Sequence, residues 1–136
     1  MANRARATRG ATLIELMGSV LIFMIGVTAL IGIYLQSITA VRRTSLFYTS
    51  YHIAKNHLEE LKAINFNDLP SAVETSTVIN DDGVPDLNGQ FVRSTTVSAN
   101  YTGDATLTEL TVSVNYKLRG LLSSTPVKMT TVIFQS

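Results

Sequence analysis

A chain of 136 residues with a formal net charge of +1 has room for one compact domain and lacks the positive excess that marks nucleic-acid binders. It contains no cysteine, which excludes a disulfide scaffold, a thiolate zinc site and a cysteine nucleophile. The charge is uneven, because Arg4, Arg6 and Arg9 stand in the leader and the rest of the chain carries eight basic against ten acidic side chains.

From Leu16 to Val41 no side chain is charged, a run longer than the roughly 20 residues that cross a bilayer as a helix. A basic segment ahead of an apolar run has the layout of an export signal. The run is too long for a secretory h-region, however, and no small-residue cleavage site closes it. The expectation is a spanning segment that stays on the chain. Arg4, Arg6 and Arg9 favour a cytoplasmic N-terminus, against the weaker opposing pair Arg42 and Arg43 at the far flank. Glu15 is the odd residue, since a carboxylate at the centre of a spanning helix costs about 2.5–3.5 kcal/mol and somewhat less near an end. It either snorkels to the interface or has a partner.

Gly10-Ala11-Thr12-Leu13-Ile14-Glu15, with the apolar segment behind it, resembles the processing site of type IV pilins and type II secretion pseudopilins. The resemblance covers about a quarter of the chain. It implies a leader, residues 1–10, that a prepilin peptidase removes after Gly10, leaving Ala11 as an N-methylated terminus. It further implies a transmembrane and assembly segment, 11–41, and a periplasmic globular domain, 42–136. The chain would sit in a bacterial inner membrane and then join a filament, with other pilin subunits as partners and no enzymatic role. Glu15 becomes the fifth residue of the mature chain, its carboxylate pairing with the free amino group of Ala11 on a neighbour. Ala11 stands where phenylalanine is usual, a departure that bears on cleavage efficiency.

Gly18, Gly26 and Gly32 each cost about 1 kcal/mol against alanine inside a helix. Two accounts are open. Close packing against neighbouring helices would use the small residues, or the stretch from Gly26 to Gly32 would lose helix on assembly, which resembles what pilin helices do around a proline. No proline is present here.

From Arg42 to Ile64 the helix is expected to continue, with Phe47, Tyr51, Ala54, Leu58 and Leu61 forming one apolar stripe and Lys55, Glu59, Glu60 and Lys62 off it. Asn65, Asn67, Asp68 and Pro70 stop it. Beyond Pro70 the period changes to two. Leu110, Val112, Val114, Tyr116 and Leu118 alternate with polar residues, and weaker strands are predicted over Thr75 to Ile79, Phe91 to Tyr101 and Val127 to Phe134. Turn signals stand at Asp81-Asp82-Gly83, Asn88-Gly89, Thr102-Gly103-Asp104 and Arg119-Gly120. Short connections favour antiparallel pairing. The predicted fold class is α+β, a long N-terminal helix packed on a three- or four-stranded antiparallel sheet, which looks like the pilin fold. Within that family, Ala54 to Leu61 and the loop from Asp82 to Gly89 look most like minor pilins of the V type, with I-type pseudopilins the nearest alternative. A periplasmic binding or adhesion module that never polymerises is the reading from another class.

No catalytic constellation is legible. His52 and His57 are five apart, about 140° round a helix, and cannot share one metal from that helix alone. Asp81, Asp82, Asp86 and Asn88 could supply oxygens to calcium, but the loop is shorter than an EF-hand and lacks its closing glutamate, so a bare acidic hairpin is the competing reading. Arg42, Arg43 and Arg93 raise the question of DNA. For Arg42 and Arg43, lipid headgroups or a neighbouring subunit fit better, and nucleic acid is not an expected partner.

Overall fold

The computed structural model describes residues 12–135, divided between Val41 and Arg42 into two units. The single helix α1, Leu13–Lys62, contributes to both. It begins where Thr12 accepts the amide of Leu16 on its carbonyl oxygen, 3.1 Å away, and the amide of Glu15 on its hydroxyl, 3.4 Å away. Thr12 is thus a helix cap with Glu15 three residues on, the spacing of a capping box.

In the first unit α1 is helical without interruption through Gly18, Gly26 and Gly32. Its large apolar side chains, from Leu13 to Val41, are exposed, and the helix is long and apolar enough to cross a membrane. Four of its serine and threonine hydroxyls are internally satisfied. Ser19, Thr28, Ser37 and Thr39 each donate to the carbonyl four residues back, at 2.7–3.1 Å, which removes a donor that hydrocarbon would leave unpaired.

In the second unit the helix carries Ile53, Ala54, Leu58 and Leu61 into a core shared with Leu69, Ile79, Phe91, Leu110, Val112 and Val114. Each fully buried large aliphatic side chain stabilises the domain by about 1.5–3 kcal/mol relative to exposure. The buried face differs from the expected stripe at its start. Phe47 and Tyr51 are 52% and 40% exposed, while Ser50 is fully buried. Ser50 looks polar in sequence, but its hydroxyl donates to the Leu46 carbonyl at 2.9 Å, so a small, self-satisfied residue occupies the contact position. The rows 50, 53, 57 and 61 and 46, 50, 54 and 58 define the face, as 3.6-residue periodicity allows.

After Lys62 the helix gives way to a 3₁₀ helix, Phe66–Ala72, that contains Pro70 and buries Leu69. The sheet follows as β1 Glu74–Ile79, β2 Phe91–Ala99, β3 Leu107–Leu118, β4 Leu121–Leu122 and β5 Val127–Phe134. Every pairing is antiparallel. β2 lies between β1 and β3, and β4 and β5 both pair with β3. The expected α+β arrangement of helix on antiparallel sheet is therefore present, with five strands. β2 ends two residues before Tyr101 because Asn100 turns into the left-handed region at φ +58°. β4, which had no pattern long enough to read, exists because Arg119 and Gly120 both take positive φ, +54° and +81°, the geometry of a two-residue type I′ hairpin.

The exposures decide between two possible helix faces, so paired truncations test them. Ile53→Ala, on the observed face only, should lower the unfolding free energy by about 2–5 kcal/mol, whereas Phe47→Ala should change it by no more than about 0.5 kcal/mol. Urea titration of the full chain in micelles measures both, and the reverse order would put Phe47 in the core. Gly89→Ala should also destabilise, because a Cβ there would collide with the Ile79 carbonyl group.

Candidate functional site

Gly10 and Ala11, the expected processing residues, lie outside the described residues. Glu15, the expected assembly residue, is exposed on the first turn of α1 and makes no ion pair among the described residues. Gly18, Gly26 and Gly32 face open space, since a Cβ at any of them would meet nothing within 4 Å. Nothing inside the described chain explains why these positions are glycine.

Asp81, Asp82, Asp86 and Asn88 lie in the β1–β2 connection, which is organised by its own side chains. Asn80 Oδ1 accepts the amides of Asp82 and Val84, both at 3.0 Å, and Asp86 Oδ1 accepts that of Asn88 at 2.9 Å. Asp81 and Asp82 line a cavity of about 180 Å³ with His52, His57 and Glu60; Asp86 and Asn88 do not. Among the described residues no group of three or more His, Asp or Glu side chains is placed to hold a metal ion.

The strongest polar constellation was not legible in the sequence. Arg93 on β2 is 6% exposed and grips Glu74 on β1 with two bonds, Nε to Oε2 at 2.7 Å and Nη2 to Oε1 at 2.9 Å. Its Nη1 donates to the Gly83 carbonyl at 3.1 Å. Arg93 is therefore no surface cation, and of the three arginines that raised the question of DNA it is removed by burial and by its partner. The pairing depends on a bulge. Glu74 lies opposite Thr95 and Thr77 opposite Arg93, so β1 has one residue more than β2 between them. Ser76 absorbs it at φ +50°, with its amide held by the Ser94 hydroxyl at 3.0 Å. Since strand side chains alternate faces, the extra residue turns Glu74 from the solvent face to the inner face.

His57 completes the cluster from α1. Its Nδ1 lies 3.3 Å from Glu60 Oε2, while Nε2 is buried and stands 3.7 Å from Glu74 Oε2, too far for a hydrogen bond. Burial, and then the neighbouring Arg93 charge, hold its pKa below the ordinary 6.5 against the opposing pull of Glu74 and Glu60. The Arg93 hydrogen bond holds Glu74 below its ordinary 4.5. The cluster ties β1, β2, the connection between them and α1 together by charge. His52, by contrast, is exposed and stacks edge-on to Tyr48 at 4.7 Å between ring centres.

Glu74→Gln keeps the shape but leaves Arg93 without its counter-charge, and should cost about 1.5–3 kcal/mol. The pH dependence has a definite sign. Between pH 6.5 and the lower folded-state pKa of His57, the unfolded chain binds more protons than the folded one, so stability falls as the pH drops below 6.5. Glu74 adds a second loss in the same direction below 4.5. Urea midpoints measured from neutral to mildly acidic pH should decline, and His57→Gln should flatten the upper part of that decline; equal slopes would remove His57 as its source. Compared with protein-family models, curated proteins and solved structures, the chain matches none.

Proposed function

We propose that this chain is a prepilin-like structural subunit, held in a bacterial inner membrane with its N-terminus in the cytoplasm until it is cleaved after Gly10. It is then added through α1 to a type IV filament as a minor subunit. The observation that carries the reading is the first half of α1, whose apolar side chains are all left exposed although nothing but hydrocarbon or other helices would cover them. The Gly10 to Glu15 motif at its start supports the same reading. Water would not tolerate an apolar surface of this extent on a monomer.

The three unexplained glycines add a second line of support. Their positions leave α1 room for close approach by a neighbouring helix, and the Glu15 carboxylate, in no ion pair among the described residues, could accept a neighbour's terminal amine. The Thr12 cap starts the helix two residues beyond the expected cleavage point.

Intact mass of the chain produced beside an active prepilin peptidase tests processing. The expected result is loss of residues 1–10 and gain of one methyl group on Ala11; a full-length chain that persists would sink the proposal in favour of a plain anchor. Glu15→Ala should leave membrane insertion unchanged and reduce incorporation into sheared filaments. Normal incorporation of that variant would rule out the pairing with Ala11.

A further inference from the structure

The second unit carries, around its first residue Arg42, a basic, leucine-rimmed surface that the assembly reading does not use. A cavity of about 420 Å³ is lined by Arg42, Leu46, Leu87, Lys117, Leu118 and Arg119 among others. It brings together the start of the second unit, the β1–β2 connection and the β3–β4 hairpin. Three cations therefore share one rim although Arg42 is distant in sequence from Lys117 and Arg119. Among the described residues no carboxylate lies within ion-pair distance of Arg42, Lys117 or Arg119. Lys117 instead donates to the Gly89 carbonyl at 3.1 Å, which fixes its ammonium beside the cavity and leaves its other two protons for an acceptor.

One leucine that lines the cavity and two on the adjoining β4 are exposed, while Leu46 and Leu118 are half-buried. Leu87 is 94% exposed, and Leu121 and Leu122, paired with Leu118 and Lys117 across the hairpin, are 76% and 54% exposed. Arg119 sits at the tip of that hairpin at φ +54°, where glycine or asparagine would fit with less strain. Cations with adjacent leucines match the two layers of a bilayer surface, phosphate outside and acyl chain beneath. Arg42 immediately follows Val41, the last residue of the uncharged run, so a spanning first unit delivers it to the headgroup level.

We infer that Arg42, Lys117 and Arg119 bind phosphates of anionic phospholipid headgroups while Leu87, Leu121 and Leu122 enter the interface, docking the globular unit on the membrane before assembly. The inference rests on the membrane-spanning reading of residues 13–41. A basic side chain near an anionic surface contributes about a factor of five in partitioning, so three make docking respond to lipid charge. The same contacts would have to break when the subunit leaves the bilayer.

The absence of cysteine makes a single label unambiguous. The full chain carrying Ser124→Cys with an environment-sensitive dye is reconstituted in nanodiscs of phosphatidylcholine, with and without phosphatidylglycerol. Dye emission should shift to the blue with phosphatidylglycerol and return as salt is raised. Arg42→Gln with Arg119→Gln, which removes no hydrogen bond found among the described residues, should lower the docked fraction relative to the undocked by more than about tenfold; unchanged circular dichroism confirms that this variant is folded. Emission indifferent to lipid charge, or unaltered in the double variant, overturns the inference. A shift that follows the number of copies per disc rather than lipid charge also overturns it and gives the surface to a second subunit. A chain that never enters the discs defeats the spanning reading itself, and the docking with it.

Discussion

The second unit depends on one ion pair that sequence spacing alone would put on opposite faces. Glu74 reaches Arg93 only because β1 holds an extra residue, and that bulge is stabilised in turn by the left-handed Ser76 and its bond to Ser94. Without the bulge the carboxylate would face water, and Arg93, almost fully buried, would have no counter-charge. A buried guanidinium in that condition is far costlier than the conformational strain at one serine. The pair then organises what surrounds it. Arg93 holds the Gly83 carbonyl and so positions the β1–β2 connection, and burial with the same guanidinium holds the His57 pKa below its ordinary value. A polar layer thus runs through the domain beside its apolar core, linking the helix to the first two strands.

The core proper is assembled from simpler rules. β3 is central, paired on one edge with β2 and on the other with β4 and β5, and its inward residues Leu110, Val112 and Val114 are completely buried. The helix meets them through a face that begins at Ser50 rather than at an aromatic residue. Apolar periodicity locates a face to within about one residue per turn, and a serine that satisfies its own hydroxyl can take a contact position as well as an alanine can. The displaced aromatics, Phe47 and Tyr51, remain on the surface.

The first half of α1 poses the opposite problem, an excess of apolar surface with no partner among the described residues. Four of its serine and threonine hydroxyls are turned back on its own carbonyls, and its glycines have open space beside them. Both features suit a helix whose environment is supplied from outside. Hydrocarbon accepts the satisfied backbone, and other helices accept the open glycine surface. A lipid-borne precursor that later packs against copies of itself would use each in turn.

Local sequence determined most of the secondary structure. The uncharged run, the polar stop around Pro70, the alternation along β3 and the Arg119-Gly120 turn could all be read from residue types, because hydrophobic period, proline and turn propensity act over a few neighbours. The Thr12 to Glu15 cap obeys an equally local rule but was not among the expectations. Tertiary structure alone decided the rest. No local rule says that Arg93 is buried, that a residue is skipped opposite it so that Glu74 turns inward, or that Lys117 and Arg119 share a rim with Arg42. Such outcomes depend on register between strands far apart in sequence, where one inserted residue reverses which face a side chain occupies and therefore which charges meet.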